Sequence, residues 1–217
     1  MARNKYPEIT EQRILDSAYK LFVEKGWDNT TIQDIIDDLG DLTRGAFYHH
    51  FKSKEDIIDA VTDRMFTNEN PFEKVKNDGD LSGLEMLRKV LLLFLTNEDS
   101  IRLVKQIPDS VRESPQLIAK QIKDCKTVII PYIKELIEIG NADGSLQVSC
   151  PTQAAEMVSY LVTMWVSPQY SQSGDEVEFK NVIDTFSTAL VSVGLPILDQ
   201  DTKGLIMAIF KKVHENE

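Results

Sequence analysis

Gly40-Asp41-Leu42-Thr43-Arg44-Gly45-Ala46-Phe47-Tyr48-His49-His50-Phe51-Lys52-Ser53-Lys54-Glu55 is the stretch that decides the fold. Gly40 closes one short helix, Thr43 is placed to cap the next, and Phe47 and Phe51, four residues apart, share one face of it. Thr43, Arg44, Gly45, Ala46 and Tyr48 are then left for the opposite side. Two short helices joined by a tight turn form a helix-turn-helix, whose second helix enters the major groove of DNA while the first braces it. The charge pattern agrees: from Leu42 to Lys54 there is no acidic residue, and Arg44, His49, His50, Lys52 and Lys54 fall inside that window.

Working upstream, Ile14, Leu15, Ala18, Leu21 and Phe22 recur at helical spacing over about residues 9–25, and Gly26 is a natural left-handed stop. Thr30 with Gln33 fits a capping box for a two-turn helix whose stripe is Ile32, Ile35, Ile36 and Leu39. Downstream, Ser53 caps a fourth helix with Ile57, Ile58, Val61 and Met65 on its buried side. The segment from Asn68 to Gly83 is polar and broken by Pro71 and Gly79, which puts the domain boundary inside or just before it. Further helices are expected at Leu84 to Leu95 and over 100–107, 115–140, 152–167, 176–195 and 202–214, with Pro131 kinking or splitting the long 115–140 stretch. No period-two alternation persists, so the expected fold is all-α. A three-helix helix-turn-helix domain over 1–66 joins through the fourth helix to a larger helical domain over 67–217.

Composition sets bounds on function. The chain has 217 residues, 42% of them apolar, and its longest uninterrupted apolar run is Val90 to Leu95. That is far short of the roughly 20 residues that cross a bilayer, so a soluble cytoplasmic protein without membrane contact is expected. Cys125 and Cys150 lack the paired spacing of a zinc site or a disulfide framework. The apolar neighbours Ile118, Ile122 and Ile129 favour a buried Cys125 over a redox sensor. His49-His50 is a poor metal pair, because adjacent helical residues diverge by about 100°. No metal or other cofactor is expected, and no nucleophile elbow, phosphate loop or dinucleotide glycine motif is present, so neither is an enzyme.

The net charge of −11 excludes binding to nucleic acid by bulk electrostatics. Residues 1–65 hold nine Lys and Arg against thirteen Asp and Glu, a net of −4 that leaves −7 for the remainder. Any affinity for DNA must come from a local patch. Arg44 is the residue placed for a bidentate contact to guanine, worth roughly 1–3 kcal/mol of discrimination. Gly45 and Ala46 permit close approach, Ala46 can touch a thymine methyl, and Tyr48, His49 and Lys54 suit phosphate oxygens. An alternative reading from the same residues is a helical interaction adaptor that uses this face for a protein partner.

The stretch quoted above, together with Ile14, Ala18, Leu21, Phe22, Gly26-Trp27 and Thr30-Thr31-Ile32, resembles the tetracycline-repressor (TetR) family over about residues 9–60. The resemblance implies that Thr43, Arg44, Gly45, Tyr48 and His49 contact DNA, that Lys54 binds phosphate at the start of helix 4, and that Thr31 and Gln33 touch backbone or a flanking base. Gly40-Asp41-Leu42-Thr43 departs from the family by one residue more in the turn, and Asp41 brings a negative charge to the DNA face.

Two late stripes, Ala155, Val158, Leu161, Val162 and Trp165, then Val182, Ile183, Phe186, Leu190 and Val193, suit either plain core or a helix-pair interface. The resemblance implies the second: a homodimer through Val158, Leu161, Val162, Trp165, Val182, Ile183, Phe186 and Leu190, presenting two recognition helices to a palindromic double-stranded operator. It also implies repression relieved by a small-molecule effector. Its pocket is sought among Met86, Phe94, Tyr132, Tyr160, Met164 and Trp165, with Arg102, Gln106 and Arg112 as polar contacts.

Overall fold

The computed structural model describes residues 7–68, 71–76, 79–97, 101, 108, 113, 115–167 and 174–214, and the described residues contain helices and no strand. They group into two compact units, Met1–Glu69 with Arg102–Leu117, and Asn70–Ile101 with Ile118–Glu217.

The first unit is built from α1 (Pro7–Lys25), α2 (Ile32–Leu39), α3 (Arg44–His50) and α4 (Lys54–Asn68). Its core gathers the stripes read from the sequence: Ile14, Leu15, Ala18, Leu21 and Phe22 of α1, Ile35 and Ile36 of α2, Phe47 and Phe51, and Ile57, Ile58 and Val61 of α4, closed by Trp27. The Met65 side chain lies outside the described residues. Gly26 ends α1 at φ 81° and Gly40 ends α2 at φ 72°, conformations costly for any residue with a Cβ.

The cap of α2 differs from expectation by one residue. Thr31 is the N-cap, and Asp34 completes the box by accepting from the Thr31 backbone N–H at 2.7 Å. Thr30 is wholly buried instead, its hydroxyl donating to the carbonyls of Gly26 at 2.8 Å and Leu21 at 3.1 Å. A hydroxyl that satisfies orphan carbonyls at the end of α1 is not available to the start of α2. Thr43 caps α3 as expected, accepting from Ala46 N–H at 3.2 Å. Ser53 accepts from Asp56 N–H at 3.1 Å, while the Asp56 carboxylate accepts from Lys52 N–H at 3.0 Å.

The second unit holds α5 (Pro71–Lys76), α6 (Gly83–Leu95), α7 (Pro115–Asp124) from Ile118 onward, α8 (Ile130–Asp143), α9 (Pro151–Leu161), α10 (Glu176–Ser192) and α11 (Gln200–His214). The short α5 lies within the polar segment 68–83, where the sequence showed no helical stripe. Phe72 and Val75 are buried, and Phe72 stacks on Tyr132 with ring centroids 4.6 Å apart. Two apolar residues in six are enough for a helix packed on a neighbour but too few to register as periodicity. The helix expected at 100–107 lies outside the described residues apart from Ile101.

α6 meets α8 through glycine: a Cβ on Gly83 would lie 2.2 Å from Gly140 N, so the two backbones are in direct contact. Asp143 and Ser145 then accept from the first N–H groups of α6, those of Gly83 at 2.7 Å and Leu84 at 3.2 Å. Between α7 and α8 the chain passes through a π-helical turn, Cys125–Ile129, in which Ile130 N–H bonds Cys125 O. Pro131 follows at once at the start of α8. A proline removes an N–H and crowds the preceding turn, and widening that turn is how the helix continues. A second π turn, Val162–Val166, follows α9. The two turns touch, with Cys125 Sγ 3.4 Å from Thr163 Oγ1.

Candidate nucleic-acid interface

α3 presents the features a reading helix needs. Phe47 is fully buried and packs edge-on against Tyr48 at 5.6 Å, which anchors the helix from below. Thr43, Arg44, Gly45, Tyr48 and His49 are exposed, and Ala46 is half-buried. Around Gly45 nothing lies within 4 Å of a hypothetical Cβ, so its backbone is open to close approach. Thr31 and Gln33 are exposed on the first turn of α2, with Gln33 Nε2 donating to Asp37 at 2.8 Å.

Part of the acidic charge of this unit is compensated by α1. Three basic residues of α1 pair with three acids of α2 and the following turn: Lys25 with Asp34 at 3.4 Å, Lys20 with Asp38 at 2.8 Å, and Arg13 with Asp41. Arg13 grips Asp41 through both terminal nitrogens, at 2.5 and 3.1 Å. The negative charge that the sequence placed beside the recognition helix is therefore compensated. These bonds hold the carboxyls of Asp38 and Asp41 below the usual carboxylate range, and Asp34, bonded by the Thr31 hydroxyl and N–H, falls to about 2. None of these three pairs uses a basic residue of 42–54; of those, Arg44 and Lys52 are exposed, and His50 Nδ1 lies 3.9 Å from the Glu11 carboxylate.

Lys54 is placed differently from the phosphate-facing expectation. Its ammonium donates to the carbonyls of Trp27 at 2.7 Å and Thr30 at 3.0 Å, and lies 4.3 Å from the centroid of the Trp27 ring. Burial pushes its pKa down. Sequence reading missed both this inward turn and the Arg13–Asp41 pair, because each joins residues 24 or more apart in the chain.

In the second unit, five residues assigned to a dimer face are occupied inside the protomer. Val158, Val162, Ile183, Phe186 and Leu190 are all buried in the isolated chain, three of them at 1% exposure or less. An apolar stripe looks the same whether its partner is the same chain or another. Leu161, Trp165 and Val182 retain partial exposure, and Val177 and Val191 are exposed on α10. Of the effector-pocket candidates, Met86 is buried in α6 and Phe94 is half-buried. Tyr160, Met164 and Trp165 are half-buried on α9 and its π turn, while Tyr132 is stacked on Phe72. Arg102, Gln106 and Arg112 lie outside the described residues. Cys125 is buried as expected, and burial raises its pKa.

A helix-turn-helix with an exposed, acid-free second helix has the arrangement that DNA-binding domains use to enter the major groove. Residues 14–61 match the family described as bacterial regulatory proteins, tetR family. Among curated relatives, a probable HTH-type transcriptional regulator ArpR of Pseudomonas putida is 27% identical, over 76% of this chain and 85% of its own. The HTH-type transcriptional repressor KstR2 of Rhodococcus jostii is 29% identical, over 84% and 87%. Among solved structures, a SmeT–triclosan complex shares the fold with a TM-score of 0.60 at 22% identity, covering 84% of this chain and 91% of that one. Over residues 14–61 the chain is similar to the tetR family, and over most of its length to HTH-type transcriptional regulators. No described helix is long and apolar enough to cross a membrane.

Proposed function

We propose that the protein is a cytoplasmic, ligand-responsive repressor that binds a palindromic operator as a homodimer and is released by a small-molecule inducer. Residues 1–66 carry the DNA contacts, and residues 67–217 hold the effector and the dimer contacts. The observation that supports this best is the split of α3 into a buried anchor, Phe47, and an exposed set, Thr43, Arg44, Gly45, Tyr48 and His49. Such a helix reads base edges with its first turn and phosphates around it.

The effector reading draws on the relatives. KstR2 is named as a repressor, and SmeT was solved with triclosan. An inducer bound among the apolar and aromatic side chains of the second unit lowers DNA affinity by favouring a state that binds the operator less well. The dimer is sought through α9 with its following π turn and through α10, at the partly exposed residues Leu161, Trp165 and Val182.

The test is selection of duplexes by the purified protein from a random library, then anisotropy on the enriched sequence, with Arg44→Ala as control. A palindromic consensus is expected, bound by two protomers. Loss of the Arg44 contact should weaken it by roughly 5- to 150-fold, the equivalent of a bidentate pair. Failure to enrich any duplex would overturn the reading in favour of a protein-binding adaptor.

A further inference from the structure

We propose that the hydroxyls of Ser159 and Thr163, beside the junction of the two π turns, bind the oxygen of a neutral, mainly apolar ligand. This rests on the ligand-responsive reading above and names the chemistry of its site.

A hydroxyl on a helix commonly donates to the carbonyl four residues back. Thr96 does so to Leu92 at 2.6 Å, Thr127 to Lys123 at 2.9 Å and Thr188 to Asp184 at 2.9 Å. Ser159 of α9 is 3% exposed, yet its hydroxyl has no hydrogen-bond partner among the described residues. Burying a hydroxyl without a bond is costly, so one left spare calls for a partner from elsewhere. Thr163 lies one turn further on the same side, inside the π turn Val162–Val166. Its oxygen accepts from the Cys125 thiol at 3.4 Å, which leaves the proton of the Thr163 hydroxyl free to donate. Single π turns recur at functional sites, and here two of them touch.

The two hydroxyls sit at the margin of the core. Ala155, Val158, Val162 and Val166 form a buried sector, and Tyr160 and Met164 a half-buried one. At about 100° per residue, Ser159 and Thr163 fall between the two sectors. The charge of the ligand follows from the same surroundings. Among the described residues of this unit the buried polar side chains are Ser159, Ser187 and Thr202, all uncharged. Ser187 donates to Leu198 O at 3.4 Å and Thr202 to Asp199 at 2.7 Å, so neither is spare. An ion would lose its water with no buried opposite charge to meet it. A carbonyl oxygen, with two lone pairs, matches two O–H donors.

The test uses the full chain with acetophenone and benzophenone as probes, their hydrocarbon counterparts ethylbenzene and diphenylmethane, and benzoate. Binding is read by calorimetry and by the infrared carbonyl stretch of the bound ketone. The ketones should bind more tightly than the hydrocarbons and benzoate, with the stretch lowered by hydrogen bonding. Ser159→Ala should weaken the ketones by about fivefold, the scale of one neutral hydrogen bond, and leave the hydrocarbons alone. The stretch should move back toward its free value. Thr163→Val should act in the same direction, and Ser159→Ala decides alone if the valine variant does not fold. With Cys150→Ser, so that one thiol remains, ketone binding should also shift the Cys125 S–H stretch. Without ligand, Ser159→Ala should melt no lower than wild type, because it gives up no bond. A clear drop means that the hydroxyl is already bonded inside the fold, and it overturns the proposal. So do ketones that fail to bind, that bind no better than the hydrocarbons, or that lose nothing in either hydroxyl variant. Ketones that bind through Ser159 and Thr163 without changing operator affinity support this site and overturn the ligand-responsive reading.

Discussion

The Arg13 guanidinium of α1 grips the Asp41 carboxylate in the turn before the recognition helix with two N–H donors. Both side chains are well exposed, at 44% and 67%, so the pair adds little to folding. Its effect is on charge beside the DNA. Arg13→Ala leaves a bare carboxylate three residues from Arg44 and should weaken binding, most at low salt. Arg13→Ala with Asp41→Ala should recover most of the loss, and urea midpoints should stay nearly constant. A double-mutant cycle by anisotropy checks it: additive losses would show that the two residues do not act as a pair.

Gly45 separates stability from function. It lies inside α3, at an ordinary helical conformation with open space around it. Gly45→Ala should therefore raise stability by roughly 0.5–1 kcal/mol. The same methyl group stands between backbone and groove, so operator affinity should fall. Thermal melting and anisotropy on one preparation give both signs; an alanine that stabilises and binds as well as wild type removes Gly45 from the interface.

Asp34 makes the α2 cap sensitive to acid. Its folded pKa, about 2, lies below the ordinary carboxylate value because the Thr31 hydroxyl and N–H bond the charged form. A depressed pKa stabilises the fold fully above the unfolded value near 4 and loses that contribution as pH falls toward 2. Amide exchange at Thr31, followed by NMR from pH 5 to 2 and corrected for intrinsic rates, should lose protection across that window. Asp34→Asn should lack the transition.

The Gly83–Gly140 contact predicts an ordered pair of substitutions. Alanine at 83 drives its Cβ into the Gly140 backbone at 2.2 Å, whereas alanine at 140 meets the Leu146 side chain at 2.5 Å, which has rotamers to move through. Gly83→Ala should cost more, on the order of 1–3 kcal/mol, with Gly140→Ala the milder. Denaturant midpoints rank them, and the reverse order would mean that the α8 backbone yields more easily than the Leu146 pocket.

What the sequence disclosed and what it concealed divide along physical lines. The α1 stripe, the Gly26 and Gly40 stops and the Thr43 cap are set by residues within one or two turns of each other, and spacing reports them. At Thr30-Thr31 both registers satisfy a capping pattern, with Gln33 or Asp34 as the partner, and only the burial of Thr30 against the end of α1 separates them. Exposed positions on α3 were legible because Phe47 and Phe51 fix the buried side. Lys54 was not, since a lysine near an acid-free patch carries no mark of pointing inward to Trp27. Ile183, Phe186 and Leu190 were legible as apolar, but their partners are other parts of the same chain.

The π turns at Cys125–Ile129 and Val162–Val166 set where the length of this chain can change. Each holds one residue beyond what an α-helix would use between the same flanks. Removing one residue there restores ordinary helix and keeps both flanks in phase. A deletion within α8 rotates one flank against the other by about 100° and disrupts the common face of Ile133, Leu136 and Ile137. Relatives that differ by a single residue in these helices can therefore share one core, with the insertion confined to two places that already touch.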